Sequence, residues 1–152
     1  MSEKIKIRWY READYDAVEG LIQDLARLFN DSFNKNWFKL YMQNRRSRTV
    51  PGVFVAEKDV KVIGSIFVDV QRDPTGAQTG YISNMMVNKG ARGQGIGQQL
   101  IENALNYLTI IGVPKVWANV RESTQALVHL FKKKGFKKKF STFEYQTDPY
   151  GI

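Results

Sequence analysis

Two periods of apolar residues divide the chain into elements. Residues 5–10, IKIRWY, alternate between apolar and polar, the spacing of a strand with one buried face. From Asp14 the positions Val18, Leu21, Leu25 and Leu28 recur at helical spacing, with Asp14 placed as N-cap. Phe29, Phe33, Trp37, Phe38 and Tyr41 continue as an aromatic-rich helical region that closes on the basic RRSR of 45–48. GVFVAE (52–57), a turn at Lys58 and Asp59, and VKVIGSIFVDV (60–70) predict a β-hairpin. The stretch 72–80, with one Pro and two Gly, predicts a loop, and YISNMMV (81–87) a further strand. Ile96, Leu100, Ala104, Leu105 and Leu108 mark a helix that Gly112 and Pro114 stop near Ile111. KVWANV (115–120) predicts a strand. A helix capped by Ser123 or Thr124 then runs to Lys134, Gly135 ends it, and FKKKFSTFEYQT (136–147) alternates as a final strand. The order β-α-α-β-β-β-α-β-α-β is that of an α/β (α+β) chain.

Length changes this picture little: 152 residues, without repeats or a Pro/Gly/Ser-rich linker, predict a single domain over 1–152 with its own core. Composition excludes more. With no cysteine there is no disulfide, thiolate metal site or cysteine nucleophile, and one histidine, His129, builds neither a zinc cluster nor a convincing Ser-His-Asp set. No metal is expected. The absence of a long apolar run or a secretory signal predicts a cytoplasmic chain without a membrane partner. A formal net charge of +8 favours an anionic partner, whether nucleic acid, an acidic protein or a phosphate-bearing cofactor.

The chemistry concentrates in ARGQGIGQQL, residues 91–100. A strand ending at Val87, a glycine-rich turn and a helix from about Gly95 bring free N–H groups and the positive end of a helix dipole together. Arg92 adds a full charge, so the turn suits a phosphate or pyrophosphate. A Walker A loop fails because Gln98 and Gln99, not Lys-Ser or Lys-Thr, follow Gly97. A dinucleotide fingerprint fails because Gly93, Gly95 and Gly97 are spaced G-x-G-x-G, late in the chain. Two readings are left: a turn that merely starts a helix, and the pattern R-x-x-G-x-G over 92–97 following a strand.

That pattern resembles the acetyl-CoA loop of the GNAT superfamily of N-acetyltransferases, and three other segments agree in order. IKIRWYREADYDAVEGL resembles the opening strand and helix, GVFVAEKDVKVIGSIFV the central hairpin with Gly64, and NVRESTQALVHLFKKKGF (119–136) the closing motif with its Gly135-Phe136. The resemblance implies a mixed, mostly antiparallel sheet of about six to seven strands flanked by about four helices. It implies acetyl-CoA as cofactor and an amine acceptor as partner. Met85, Met86 and Val87 would pair with the pantetheine arm, a backbone N–H near Met86 would polarise the thioester, and Arg92, Gly93, Gln94, Gly95, Ile96, Gly97 and Gln98 would hold the pyrophosphate.

Acyl transfer needs a neutral amine, which for a lysine of pKa about 10.4 costs about 4–5 kcal/mol at pH 7. A base, often through water, or desolvation meets that cost. The family's usual tyrosine acid is matched by Phe131, which has no hydroxyl, and its usual asparagine by Thr124, which still hydrogen-bonds. The two familiar base positions carry Asn119 and Tyr81. Asp69, a carboxylate in an otherwise apolar strand, is the candidate base against the alternative of a solvent-facing strand position. Tyr81 is the second catalytic candidate, as an acid or as a lining residue, against plain packing. Glu144, Tyr145 and His129 are weaker candidates, and catalysis mainly by positioning stands beside them.

KKKGFKKK (132–139) holds six lysines in eight residues. It reads as a solvated helix end suited to the dipole, or as a surface for nucleic acid or CoA phosphates. Arg45, Arg46 and Arg48 follow the helix that lines the acceptor pocket in the resembled fold, and either select an acidic acceptor or are plain surface. The expected function is transfer of acetyl from acetyl-CoA to a primary amine of a protein lysine, an N-terminus or a small molecule. Its rivals are an acyl-CoA sensor that has lost catalysis and, less favoured, a nucleic-acid-binding protein. Monomer and homodimer are both open.

Overall fold

The alternating opening segment forms β1, Lys6–Trp9, antiparallel to β2, Val53–Lys58. The computed structural model describes residues 4–121 and 123–148. They fall into two compact units, Met1–Asn119 and Val120–Ile152. In the first, β2 turns into β3, Lys61–Arg72, and β3 pairs with β4, Gln78–Val87, both antiparallel. Helix α3, Ile96–Ile110, carries the chain back to β5, Val116–Ala118, which lies parallel to β4. A parallel pair needs such a crossover, and the helix supplies it. The sheet order is β1-β2-β3-β4-β5.

Alternation along the strands sends residues to two faces. On one face Val53, Val55 and Phe67 pack with Val18 of α1, Tyr15–Leu28, and with Phe38 and Met42 of α2, Lys35–Arg46. Asn34 starts α2 by accepting the Trp37 N–H on Oδ1 at 2.9 Å. On the opposite face α3 packs against β2, β3 and β4, burying Ile96, Leu100, Ile101, Ala104 and Leu108. Trp9 stacks on Phe54 at 3.8 Å, and Tyr107 of α3 meets Trp9 edge-on at 4.9 Å.

Several boundaries differ from the sequence reading. The hairpin turn sits on Asp59 and Val60, both at positive φ, one residue later than expected, because Lys58 pairs with Lys61 across a two-residue loop. Phe29 and Phe33 lie outside α2, since the chain breaks between α1 and Lys35. Asp14 stands at the head of α1 without capping it. Its carboxylate instead accepts from Arg8 at 2.7 and 3.0 Å and from the Arg11 N–H at 2.8 Å. Burial pushes this carboxyl up, but the Arg8 and Arg11 donors outweigh burial and hold it below its ordinary range.

The second unit contains α4, Gln125–Lys133. Thr124 is its N-cap residue, yet the hydroxyl donates to the Arg121 carbonyl at 2.6 Å rather than accepting a helix N–H. The helix ends in a Schellman motif: Gly135 N–H bonds the Lys132 carbonyl and Phe136 N–H the Phe131 carbonyl, each at 3.0 Å. Phe131 and Phe136 meet edge-on at 4.9 Å, the apolar contact that accompanies this cap. The expected final strand over 136–147 does not form, and the sheet has five strands among the described residues rather than six to seven. Alternation supplies a strand with a face but not with a ladder, and Phe140, Phe143 and Tyr145 of this stretch are exposed.

Candidate active site

Strand β4 leads through a 3-10 turn at Lys89–Ala91 into the glycine turn and α3. Gly95 is the N-cap of α3 at φ 75°, a left-handed conformation that favours glycine. The first bond of the helix runs from Gln99 N–H to the Gly95 carbonyl at 3.1 Å, so the N–H groups of Ile96, Gly97 and Gln98 lie ahead of the ladder. A Cβ placed on Gly93 or Gly95 meets nothing within 4 Å, so the backbone opens onto free space there. Arg92 is exposed and its Nε donates to the Val87 carbonyl at 3.3 Å. Lys58, at the end of β2, donates from Nζ to Gln94 Oε1 at 3.1 Å, a second cation on the turn that the sequence reading left in the hairpin. Backbone donors, two cations and open space fit a pyrophosphate.

Just before the turn, β4 carries a bulge. Phe67 pairs with Ser83 but Ser65 pairs with Met86, so Ile66 faces both Asn84 and Met85. Asn84 takes φ 52° there, a value asparagine tolerates better than most residues. On the other side of β4, the described ladder to β5 runs only from Gly80↔Val116 to Ile82↔Ala118. Ser83 to Val87 therefore offer strand backbone without a β5 partner, next to the glycine turn. Met85 reaches α3, its Cε 3.4 Å from the Cβ position of Gly97, while Met86 is buried.

The structure brings Asp69 and Tyr81 together as cross-strand partners, and Tyr81 pairs in turn with Trp117 of β5. The three share the face of Phe67, and Trp117 meets Tyr81 edge-on at 5.5 Å. Asp69 is neither free nor solvent-facing. Its Oδ2 accepts from Arg45 at 2.8 Å and its Oδ1 from Arg48 at 2.7 Å.

Arg45 is 2% exposed, and also donates to Tyr41 Oη at 2.7 Å and to the carbonyls of Pro51 and Gly52 at 3.1 and 3.3 Å. Its guanidinium lies 4.9 Å from the ring centres of Tyr41 and Phe67. Burial opposes its charge, but the Asp69 and Tyr41 hydrogen bonds prevail and raise its pKa above the ordinary value. Gly52, at φ 71°, leaves room for this: a Cβ there would stand 2.5 Å from Arg45 Nη1 and 2.6 Å from the Val68 carbonyl. Beside the cluster, where β3 runs on past the start of β2, lies a cleft of about 490 Å³. The RRSR run was visible in the sequence. Its pairing with Asp69 across 21 and 24 residues was not, and no local signal marks it.

The other candidates fall elsewhere. His129, Asn119, Glu144 and Tyr145 are exposed, and Phe131 is buried against Phe136 in the second unit. Among the described residues no group of three or more His, Cys, Asp or Glu side chains is placed to hold a metal. No helix among the described residues is long and apolar enough to cross a membrane.

Over 98 residues the chain is 33% identical to the mycothiol acetyltransferase of Thermomonospora curvata, a match covering 64% of this chain and 32% of that protein. It thus spans about a third of that relative's length. An aminoglycoside N-acetyltransferase solved in complex with CoA superposes with a TM-score of 0.80 at 14% identity, covering 97% of each chain. Glucosamine-6-phosphate N-acetyltransferase from Arabidopsis thaliana gives 0.76 at 18% identity, covering 96% of this chain and 100% of that one. These two likenesses show the fold. The model of the acetyltransferase (GNAT) family matches residues 22–136, more than half of the chain, and the chain belongs to that family.

Proposed function

We propose that the chain is an N-acetyltransferase that moves the acetyl group of acetyl-CoA onto a primary amine, within one domain spanning both units and working in the cytoplasm. The family match crosses the boundary between the units, which supports a single domain. The observation that carries the function is the glycine turn after the β4 bulge. Its three leading helix N–H groups, Arg92 and the open space at Gly93 and Gly95 suit a pyrophosphate, while Ser83–Val87 offer strand backbone to a pantetheine arm. A family neighbour is solved in complex with CoA. Bound acetyl-CoA supplies an activated thioester.

This chain's residues hold the cofactor and manage the amine's proton. Arg92 to Gln98 bind the pyrophosphate, and Met85 to Val87 align the arm. Asp69 takes the amine's proton through water. Two of its roughly four lone-pair sites accept from the arginines, which leaves the others for water. Tyr81, beside it in register, lines the acceptor side. The new bond is nitrogen to acetyl carbon, the bond broken is carbon to sulfur, and the released thiol carries off a proton.

Phe131 favours one second reading, an acyl-CoA sensor, because a buried phenyl ring cannot protonate a thiolate. The test is acetyl-CoA titration followed by thiol release over a panel of amines and peptides. Gly95→Asp is expected to weaken acetyl-CoA binding at least about 100-fold, with Gly95→Asn, which tolerates the same φ without the charge, losing far less. Equal affinities in Gly95→Asp and wild type would refute the loop assignment. Binding without turnover on any amine would favour the sensor.

A further inference from the structure

We infer that the acceptor is an amine that also carries an anionic group, a phosphate or a carboxylate, and that Arg48 binds this group in the cleft beside Asp69. The inference rests on the proposed acetyltransferase reading and names the substrate class of its acceptor side. Three observations carry it. The first is charge: among the described residues the cleft is lined by Arg45, Arg48 and Asp69 and by no other ionisable acid or base besides two tyrosines, so one carboxylate faces two guanidinium groups. One positive charge is left without a counterion in a half-enclosed space, where an anion gains most from it.

The second observation is which arginine has capacity to spare. Arg45 is spent on structure, with 2% of its side chain exposed and its outer nitrogens on Asp69, Tyr41 and two carbonyls. Arg48 is 49% exposed and donates to Asp69 through Nη1 alone of its side-chain nitrogens. Its remaining N–H donors can form the fork that carboxylates and phosphates accept. Thr49 and Gln71 line the same cleft and offer further neutral donors.

The third observation is place. Asp69 holds Arg48 on the face and in the register of Tyr81, and Met85 lies four positions beyond Tyr81 along β4. Regular strand would span at most about 13 Å at about 3.3 Å per residue, and the bulge shortens it, so the anion and the reacting amine sit at different points of the acceptor. Asp69 thereby serves two groups at once, drawing the ammonium by its charge and aiming Arg48 at the acceptor's far end.

The experiment compares acceptor pairs that differ only in charge: alkylamines against ω-amino carboxylates and ω-aminoalkyl phosphates, in a series of chain lengths. For wild type, kcat/KM is expected to be at least about tenfold higher for one of the anionic series than for neutral amines of equal length. Which series gains tells carboxylate from phosphate. Arg48→Gln should raise KM for the anionic acceptors about tenfold more than for their neutral counterparts, with Arg48→Lys intermediate and KM for acetyl-CoA unmoved. Equal KM changes for charged and neutral acceptors would overturn the inference.

A binding arm needs no turnover. Acetate and inorganic phosphate are titrated by calorimetry into wild type, Arg48→Gln and Gly95→Asp. A site for either anion that survives in Gly95→Asp and vanishes in Arg48→Gln supports the proposal. Loss in Gly95→Asp alone, or no binding of either anion, overturns it. Failure of acetyl-CoA to bind would instead strike the acetyltransferase reading, and the anion titration would still report on Arg48.

Discussion

The two halves of the candidate site are built from different materials. The glycine turn is backbone: N–H groups at the head of α3, left-handed glycines, and a local run from Arg92 to Gln98. The Asp69 cluster is side chain: a carboxylate on β3, two guanidinium groups near the end of α2, and a phenol one helical turn earlier. The turn leaves its donors exposed for a ligand, whereas the cluster consumes most of its own donors internally. Backbone donors are supplied by the fold and tolerate exchange of many side chains. An ion-pair cluster exists only while each partner is present.

The sharpest way to break this contrast is Arg45→Ala. Removing the buried partner leaves Asp69 with Arg48 alone, takes the donor from the Tyr41 hydroxyl and empties the space between the two aromatic rings, at a cost of about 3–5 kcal/mol. Urea denaturation should show a lower midpoint and a loss of unfolding free energy of that size. Adding Asp69→Asn should cost much less in the Arg45→Ala background than alone, because the pair is already broken. Additive losses would mean that the cluster is a set of separate surface contacts.

A smaller effect comes from the first unit's other ion-pair knot. Arg8 and Asp14 are 12% and 6% exposed in their side chains, and Arg8 also reaches Glu57 at 3.3 Å. The folded Asp14 carboxyl lies below its unfolded value of about 3.9. Its contribution is therefore fully present above the unfolded value and is lost as pH falls through the lower folded one. Asp14→Asn should cost about 1.5–3 kcal/mol near neutrality, and the gap from wild type should close as the solution is acidified. A gap that stays constant to strongly acidic pH would show that the charge of Asp14 is not what stabilises this corner.

The same division explains what the sequence made legible. Gly93, Gly95 and Gly97 announce a backbone requirement within seven residues, and helical periodicity locates α3 behind them. The elements up to β5 follow from period and punctuation for the same local reason. The bulge at Asn84 and Met85 has no such signature, since a register slip depends on both strands and YISNMMV reads as plain alternation. Asp69 reads as a lone carboxylate because its partners lie 21 and 24 residues away, in the bend after α2 and on α2 itself. The expected strand over 136–147 fails for a related reason: alternation describes a face, while a strand also needs a partner that no local pattern reveals.

The smallest effect tests the backbone side of the contrast. The Lys58 side chain reaches the turn from β2, through Gln94 Oε1 at 3.1 Å, and this contact is exposed. If the turn binds phosphate chiefly through its N–H groups and Arg92, an exposed lysine adds only a screened attraction. Lys58→Ala should then weaken acetyl-CoA binding about two- to fivefold, and the difference from wild type should fade at high ionic strength. Calorimetric titrations at low and high salt measure both. A loss beyond about tenfold that persists in salt would place a side chain at the heart of the turn, and the two halves of the site would no longer differ in kind.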